Sequence, residues 1–346
     1  MDYRSLGRTG VQVSALCLGC MNFGGKTDEA DSMAIIDKAI ADGVNFLDTA
    51  DVYSRGASET VVGNALKRNG KRDQIVLASK VHGRMDDDNV LMAGNNRKHI
   101  IEACEASLKR LQTDYIDLYQ IHRPRTDTPI DETLRALDDL IRAGKVRYIG
   151  ASTFPSWRLM ESLWVAKELG LNRFISEQPP YHLLDRTIER EMIPMAQTYG
   201  MAILPWSPLA QGFLAGRYKR GEDVPGNSRF ESALDRPASP FRQRAEQHFS
   251  DRAYDVLDVV EALAEEKNCT PSQVALAWLI NQAGVTSAII GPRTMAHYVD
   301  NVGAVTVEIT DADRARLDEV SEPERAIVPY YHGSMINFKA SEFSWH

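Results

Sequence analysis

The chain predicts an α/β fold: a (β/α)8 TIM barrel with an N-terminal β-hairpin in front and extra C-terminal helices and a tail behind. Three observations carry that expectation. Eight short β-branched or aliphatic runs recur along the 346 residues. Longer segments between them carry apolar residues at three- and four-residue spacing, the alternation that builds a parallel sheet. No internal repeat beyond that alternation, no low-complexity stretch and no linker divides the chain, so residues 1–346 read as one barrel domain with additions.

In chain order, residues 2–13 place Gly7 and Thr9-Gly10 between polar-apolar runs and read as a small hairpin that plugs the barrel floor. The expected strands are 15–19, 45–48, 75–80, 116–122, 146–152, 174–178, 202–206 and 287–291. Amphipathic spacing predicts helices that include 32–42, 99–111, 130–143 and 187–199. Residues 210–250, rich in Gly, Pro, Arg and Ser, are too long for an ordinary connection and read as a functional loop or lid. The tail, 323–346, holds Tyr330, Tyr331, Phe338, Phe343 and Trp345 without helical periodicity, and should pack on something.

Composition excludes several classes. Forty Lys and Arg against 48 Asp and Glu give a net charge of −8, with no basic excess for a nucleic-acid backbone. No apolar run approaches the roughly 18 residues of a membrane span, and no signal-peptide stretch follows Met1, so a cytoplasmic protein without a membrane partner is expected. Cys17 and Cys20 form one C-x-x-C with no second pair, and the histidines lack ligand spacing, so no metal site is expected.

A TIM barrel assembles its chemistry at the carboxyl ends of its strands. Those ends are Asp48, Lys80, His122, Ser152, Gln178, Trp206 and Gly291, and Tyr53 lies just beyond the first. Such a set suits carbonyl reduction, in which the oxygen gains charge as hydride reaches carbon and must receive a proton. A free phenol titrates near 10, and the Lys80 ammonium should favour the phenolate, making Tyr53 a readier donor. Asp48 would hold Lys80 charged, and His122 would steer the substrate oxygen. An Asp-Lys pair alone would read as a structural ion pair; Tyr53 and His122 in register favour catalysis.

The stretches Gly43 to Tyr53, Ser58 to Gly63, Ala78-Ser-Lys80, Asp117 to His122 and Ile149-Gly-Ala-Ser152 together resemble the aldo/keto reductase superfamily. The likeness is to its larger microbial and potassium-channel β-subunit-like branch. It implies a catalytic tetrad of Asp48, Tyr53, Lys80 and His122, and NADPH/NADP+ bound across the barrel mouth without a Rossmann domain. No G-x-G-x-x-G follows any strand.

By the same resemblance, Ser152 and Gln178 would hydrogen-bond the nicotinamide carboxamide and Trp206 would stack on its ring. The segment with Ser207, Leu209, Gly212 and Gly216 resembles a pyrophosphate loop. Gly291, Arg293, His297, Asp300 and Asn301 resemble the adenine and 2′-phosphate segment, with Arg293 chosen for the phosphate and Arg229, in the 210–250 cofactor-covering loop, as a clamp. Three positions depart from the pattern: Thr153 and His182, where Asn is usual, and His297, where Arg or Gln is common. The function implied is NADPH-dependent reduction of a small aldehyde or ketone to the alcohol, with Tyr53 as proton donor. A homo-oligomer fits the reading equally well. The alternatives are a nicotinamide-binding redox-sensing or regulatory subunit with little turnover, and a metal-dependent barrel hydrolase or isomerase, which the absent His clusters disfavour.

Overall fold

The computed structural model describes residues 1–226, 228, 230–235 and 240–331. Strands β1 (Tyr3–Ser5) and β2 (Gln12–Ser14) form an antiparallel hairpin, Tyr3 opposite Ser14 and Ser5 opposite Gln12. Eight parallel strands follow: β3 (Leu16–Gly19), β4 (Phe46–Asp48), β5 (Val76–Val81), β6 (Ile116–Ile121), β7 (Val146–Ser152), β8 (Phe174–Gln178), β9 (Ala202–Ile203) and β10 (Ala288–Ile290). From β3 to β9 each pairs with the next, β10 pairs with β3, and an isolated bridge joins Ile203 to Val285 across the remaining seam. The ring closes where the Thr286 N–H donates to the Ile203 carbonyl at 2.9 Å and the Ile289 N–H to the Pro205 carbonyl at 2.8 Å. Closure leaves no unpaired sheet edge. The expected 202–206 strand is cut short at β9 because Pro205 has no N–H to give the ladder. The chain nevertheless stays extended, with Trp206 bridging Pro180.

Alternation along the strands sorts side chains into two shells. Phe46, Ala78, Leu118 and Ile289 point into the barrel and pack with Leu6 and Val13 of the hairpin, which close the floor. Their neighbours Leu47, Leu77, Tyr119 and Ile290 face outward into the larger core beneath the helices. Fully burying one such side chain is worth roughly 1.5–3 kcal/mol, so a one-residue slip of any strand is strongly opposed.

Helices α1 (Glu29–Ala41), α2 (Ala57–Asn69), α3 (Arg97–Leu111), α4 (Ile130–Arg142), α5 (Ser156–Leu169) and α6 (Met192–Tyr199) connect the first seven barrel strands. The expected helix 187–199 is a correction: a 3-10 turn at Thr187–Glu189 precedes α6. Pro194 needs no N–H partner only in a first turn, so the helix begins just before it. Beyond β9 come α7 (Glu231–Leu234), α8 (Pro240–Gln247), α9 (Asp251–Glu266), α10 (Pro271–Ile280), α11 (Met295–Gly303) and α12 (Asp311–Val320).

Residues 210–250 are likewise not one loop. They contain a 3-10 turn (Ala210–Ala215), α7 and α8, gathered on a buried aromatic cluster of Phe213, Tyr218, Phe230, His248 and Phe249. Arg229, the proposed clamp, lies outside the described residues, as do Phe338, Phe343 and Trp345 of the tail. The described part of the tail is tied down: the Ile327 and Val328 N–H groups both donate to the Leu184 carbonyl, and the Tyr330 N–H to Asp185 Oδ2 at 2.8 Å. Among the described residues no helix is long and apolar enough to cross a membrane.

Candidate active site

The alternation that fills the barrel also builds its polar top. Phe46, Ala78 and Leu118 occupy the interior, so residues two further on share that inward face, one step nearer the carboxyl ends. Those residues are Asp48, Lys80 and Gln120, each 2% exposed or less. Gly150 stands opposite Gln120 on β7. A Cβ there would lie 2.4 Å from Ser176 Oγ and 3.3 Å from Gln120 Cγ, so glycine is what lets the Gln120 side chain lie inside the barrel.

Lys80 Nζ donates to Asp48 Oδ1 at 2.5 Å, to the Thr49 carbonyl at 2.9 Å and to the Tyr53 hydroxyl at 3.2 Å. Three donors meet three acceptors, which satisfies an ammonium held in a dry interior. The other Asp48 oxygen accepts from Gln120 Nε2 at 3.0 Å and Gln178 Nε2 at 2.8 Å. Burial would lower the Lys80 pKa, but Asp48 and Tyr53 outweigh it and hold the ammonium above its ordinary value. The His122 ring stands edge-on to Tyr53, centroids 5.5 Å apart at 84°. Burial, with the Lys80, Arg123 and His82 charges adding, drives its pKa well below the ordinary value and keeps the imidazole neutral. Tyr53 differs from expectation. Burial raises its pKa above 10.0 despite the opposing Lys80 charge, because desolvation of a phenolate is the larger effect. It is therefore a protonated donor at neutral pH.

Local structure positions Tyr53. After β4 the chain keeps contact with β5 through the Thr49 and Asp51 N–H groups, then turns in a 3-10 segment (Tyr53–Gly56) with Ser54 and Arg55 in the left-handed region. Ser58 and Glu59 at the start of α2 anchor that turn. Ser58 Oγ donates to the Cys20 carbonyl at 2.7 Å, and Glu59 accepts from Ser79 Oγ at 2.5 Å and Arg110 Nε at 2.7 Å.

Asp51, fully buried beside this turn, has no well-formed hydrogen bond to either carboxyl oxygen. Burial, with the Glu59 charge adding, pushes its carboxyl up to about 7. A carboxyl raised on folding costs stability as pH climbs from its unfolded value of about 4 through the folded one. Asp51→Asn, which never ionises, should therefore stabilise the protein, and by about 3 kcal/mol more at pH 8 than at pH 5, at 1.36 kcal/mol per pKa unit. Urea unfolding at the two pH values checks this; equal gains would mean that Asp51 is solvated.

Tyr53, His122 and Asp48 line a cavity of about 580 Å³, within the size range of small-molecule sites. Ser152, Gln178, Trp206, Ser207, Leu209 and Gly212 line it too, as do Gly291, Arg293, His297, Asp300 and Asn301. Gly216 is not part of the lining. It ends a 3-10 turn at φ 71°, with Glu261 close to where a Cβ would sit. Gln178 is turned toward Asp48, and the Ser152 hydroxyl donates to the Gln178 carbonyl at 3.0 Å. Thr153 is buried, with its hydroxyl accepting from Arg123. The His182 ring accepts from the Leu184 N–H at 3.2 Å in a turn away from the cavity lining.

Gln120, Arg123, Arg217 and Arg244 escaped sequence reasoning. Gln120 was detectable as the residue two before His122 on the same face. Arg123, directly after His122, lines the cavity. Arg217 lines it near Arg293, whose pKa burial and the Arg217 charge together lower. Arg244 reaches in from α8. The wall carries a strained run: Ser207, Ala210, Gln211 and Gly212 have φ of 57°, 47°, 61° and 93°. Non-glycine residues held there cost of order 1–3 kcal/mol each, a strain that persists where a site is preorganised. A Cβ on Gly212 would meet nothing within 4 Å, so the wall opens to a ligand. A cavity lined by the proton-carrying Tyr53 and by Arg217 and Arg293 is chemically suited to a ligand that bears phosphate.

Known proteins are similar to the chain over most of its length. The model of the Aldo/keto reductase family matches residues 15–322. The chain is 37% identical over 328 residues to an uncharacterized oxidoreductase, YrpG, of Bacillus subtilis (strain 168), covering 92% of this chain and 96% of that one. It is 36% identical over 352 residues to versiconal hemiacetal acetate reductase of Aspergillus parasiticus, covering 95% and 99%. It is also 35% identical over 336 residues to a probable voltage-gated potassium channel subunit beta of Oryza sativa subsp. japonica, covering 94% and 98%.

Proposed function

Because the chain belongs to the aldo/keto reductase family, we propose that this oxidoreductase reduces a small aldehyde or ketone to the alcohol with NADPH. The observation that carries the reading is the Lys80 ammonium bridging Asp48 and the Tyr53 hydroxyl at the cavity, with the His122 ring beside it. When bound, NADPH supplies hydride to the carbonyl carbon. Tyr53 gives its proton to the carbonyl oxygen as that oxygen gains charge, and Lys80 stabilises the phenolate left behind. Asp48, held by two glutamine amides, keeps Lys80 charged and aimed. The neutral His122 imidazole donates one ring N–H to the substrate oxygen and fixes its approach. Trp206 would stack against the nicotinamide, Ser152 and Gln178 would meet its carboxamide, and the 207–212 wall would take the pyrophosphate. The three buried cysteines, all unpaired, suit a cytoplasmic location.

Arg293 and Arg217 favour NADPH over NADH, because two neighbouring guanidinium groups match a doubly charged 2′-phosphate. A charged hydrogen bond of this kind is worth about ten- to a hundredfold in affinity. Arg293→Ala should erode the preference by that factor, measured by titrating the protein with each cofactor. Equal dissociation constants in the parent would rule out the 2′-phosphate site. The overall reading is tested by following NADPH oxidation with a panel of aldehydes and ketones. The likeness to a channel β-subunit keeps a second reading, a redox-sensing subunit with little turnover. Cofactor exchange that stays slow under excess aldehyde would favour it.

A further inference from the structure

Two guanidinium groups on the wall of this cavity take no part in the chemistry above. Arg123 follows His122 at the end of β6. Its guanidinium lies 5.9 Å from the ring centre of Trp206 and 5.9 Å from that of Tyr330, and it donates to Thr153 Oγ1. Arg244, on α8, lies 4.5 Å from the Tyr330 ring centre, donates to the Pro329 carbonyl at 3.3 Å and is 8% exposed. Trp206 and Tyr330 meet edge-on, centroids 5.1 Å apart at 82°. All four side chains line the cavity together with Tyr53 and His122. Two cations thus flank an aromatic pair in the cavity that the proton donor also lines.

No carboxylate among the described residues is ion-paired with either arginine, and each guanidinium has five donors. Of the acids whose charge reaches them, Glu177 is driven by burial well above the ordinary carboxyl range, and Asp185 spends its oxygens on the Thr187 N–H, the Thr187 hydroxyl and the Tyr330 N–H. Bringing two arginines to one half-buried wall without an anion is unfavourable. A planar anion met by guanidinium forks would relieve it, and the aromatic faces would hold the carbon skeleton that carries it.

We propose that the carbonyl substrate bears a carboxylate remote from its reacting carbon, and that Arg123 and Arg244 bind that carboxylate. The proposal rests on the reductase reading of the same cavity. It is tested with a matched pair, 4-carboxybenzaldehyde and methyl 4-formylbenzoate, which share ring and aldehyde and differ in charge. At saturating NADPH the parent should show the higher kcat/KM for the acid, through a lower KM. Arg123→Met should cut the acid-to-ester ratio of kcat/KM by about ten- to a hundredfold, whatever change the two substrates share. Arg123→Lys should retain part of the ratio, and Arg244→Lys should lower it even if Arg244→Met fails to fold. A parent ratio near one, or a ratio that none of these variants moves, overturns the carboxylate site while the reductase stands. Reduction of neither aldehyde, nor of any carbonyl in the panel, removes the reductase reading and this proposal with it.

Discussion

Tyr53→Phe should lower kcat for aldehyde reduction by about a hundred- to ten-thousandfold, the usual worth of a positioned proton donor, while NADPH affinity stays within about twofold. The change removes one oxygen. The ring keeps its edge-on contact with His122 and its place under the Lys80 ammonium, 4.8 Å from the ring centre. Nothing around Arg293 is touched. Single-turnover reduction and fluorescence titration of the cofactor separate the two effects. Because burial raises the Tyr53 pKa above its ordinary 10.0, the parent's reduction rate should hold level from about pH 6 to about pH 9 and fall only as the phenol loses its proton. Near-normal turnover by a folded Tyr53→Phe protein would mean that another acid serves.

Lys80→Met should abolish turnover and also destabilise the fold, by about 3 kcal/mol, because it strands a buried carboxylate. Asp48 would keep its two amide donors from Gln120 and Gln178 but lose its counter-charge. Adding Asp48→Asn should restore most of the stability and none of the activity, since the charge and the cation that needed it are then both gone. Urea unfolding of the two single variants and the double variant closes the cycle. A Lys80→Met protein within 1 kcal/mol of the parent would show that water reaches Asp48.

These two residues also show how far the sequence can be read. Asp48 and Lys80 were legible because a strand's alternation is periodic: an apolar residue two positions earlier tells which face the polar one shares. The same rule reaches Gln120, whose link to Asp48 then follows from barrel closure. The order of eight strands was legible for the same reason, with boundaries blurred where Pro205 and Pro194 remove an N–H. What alternation does not reach was not legible. Residues 210–250 look loop-like in composition, yet Phe213, Phe230 and Phe249 collect into a core that only three dimensions reveal. Arg244 reaches the cavity from that segment, 122 residues after His122, with no spacing to announce it. The sign of the Tyr53 shift was missed because sequence names its charged neighbour but not the depth at which the two are buried.

The hairpin stops the floor of the barrel, so that among the described residues the barrel interior is closed at the end where its strands begin. Leu6 and Val13 form the seal, and the Arg8 N–H fastens the hairpin turn to the Gly200 carbonyl at 2.9 Å. Substrate, product, water and cofactor must therefore share the other end. At the sealed end Gly10 faces open space, with nothing within 4 Å of where a side chain would begin. A dye or a surface tether attached at residue 10 would sit a full barrel height from Tyr53, orienting an immobilised molecule with its mouth toward the solution.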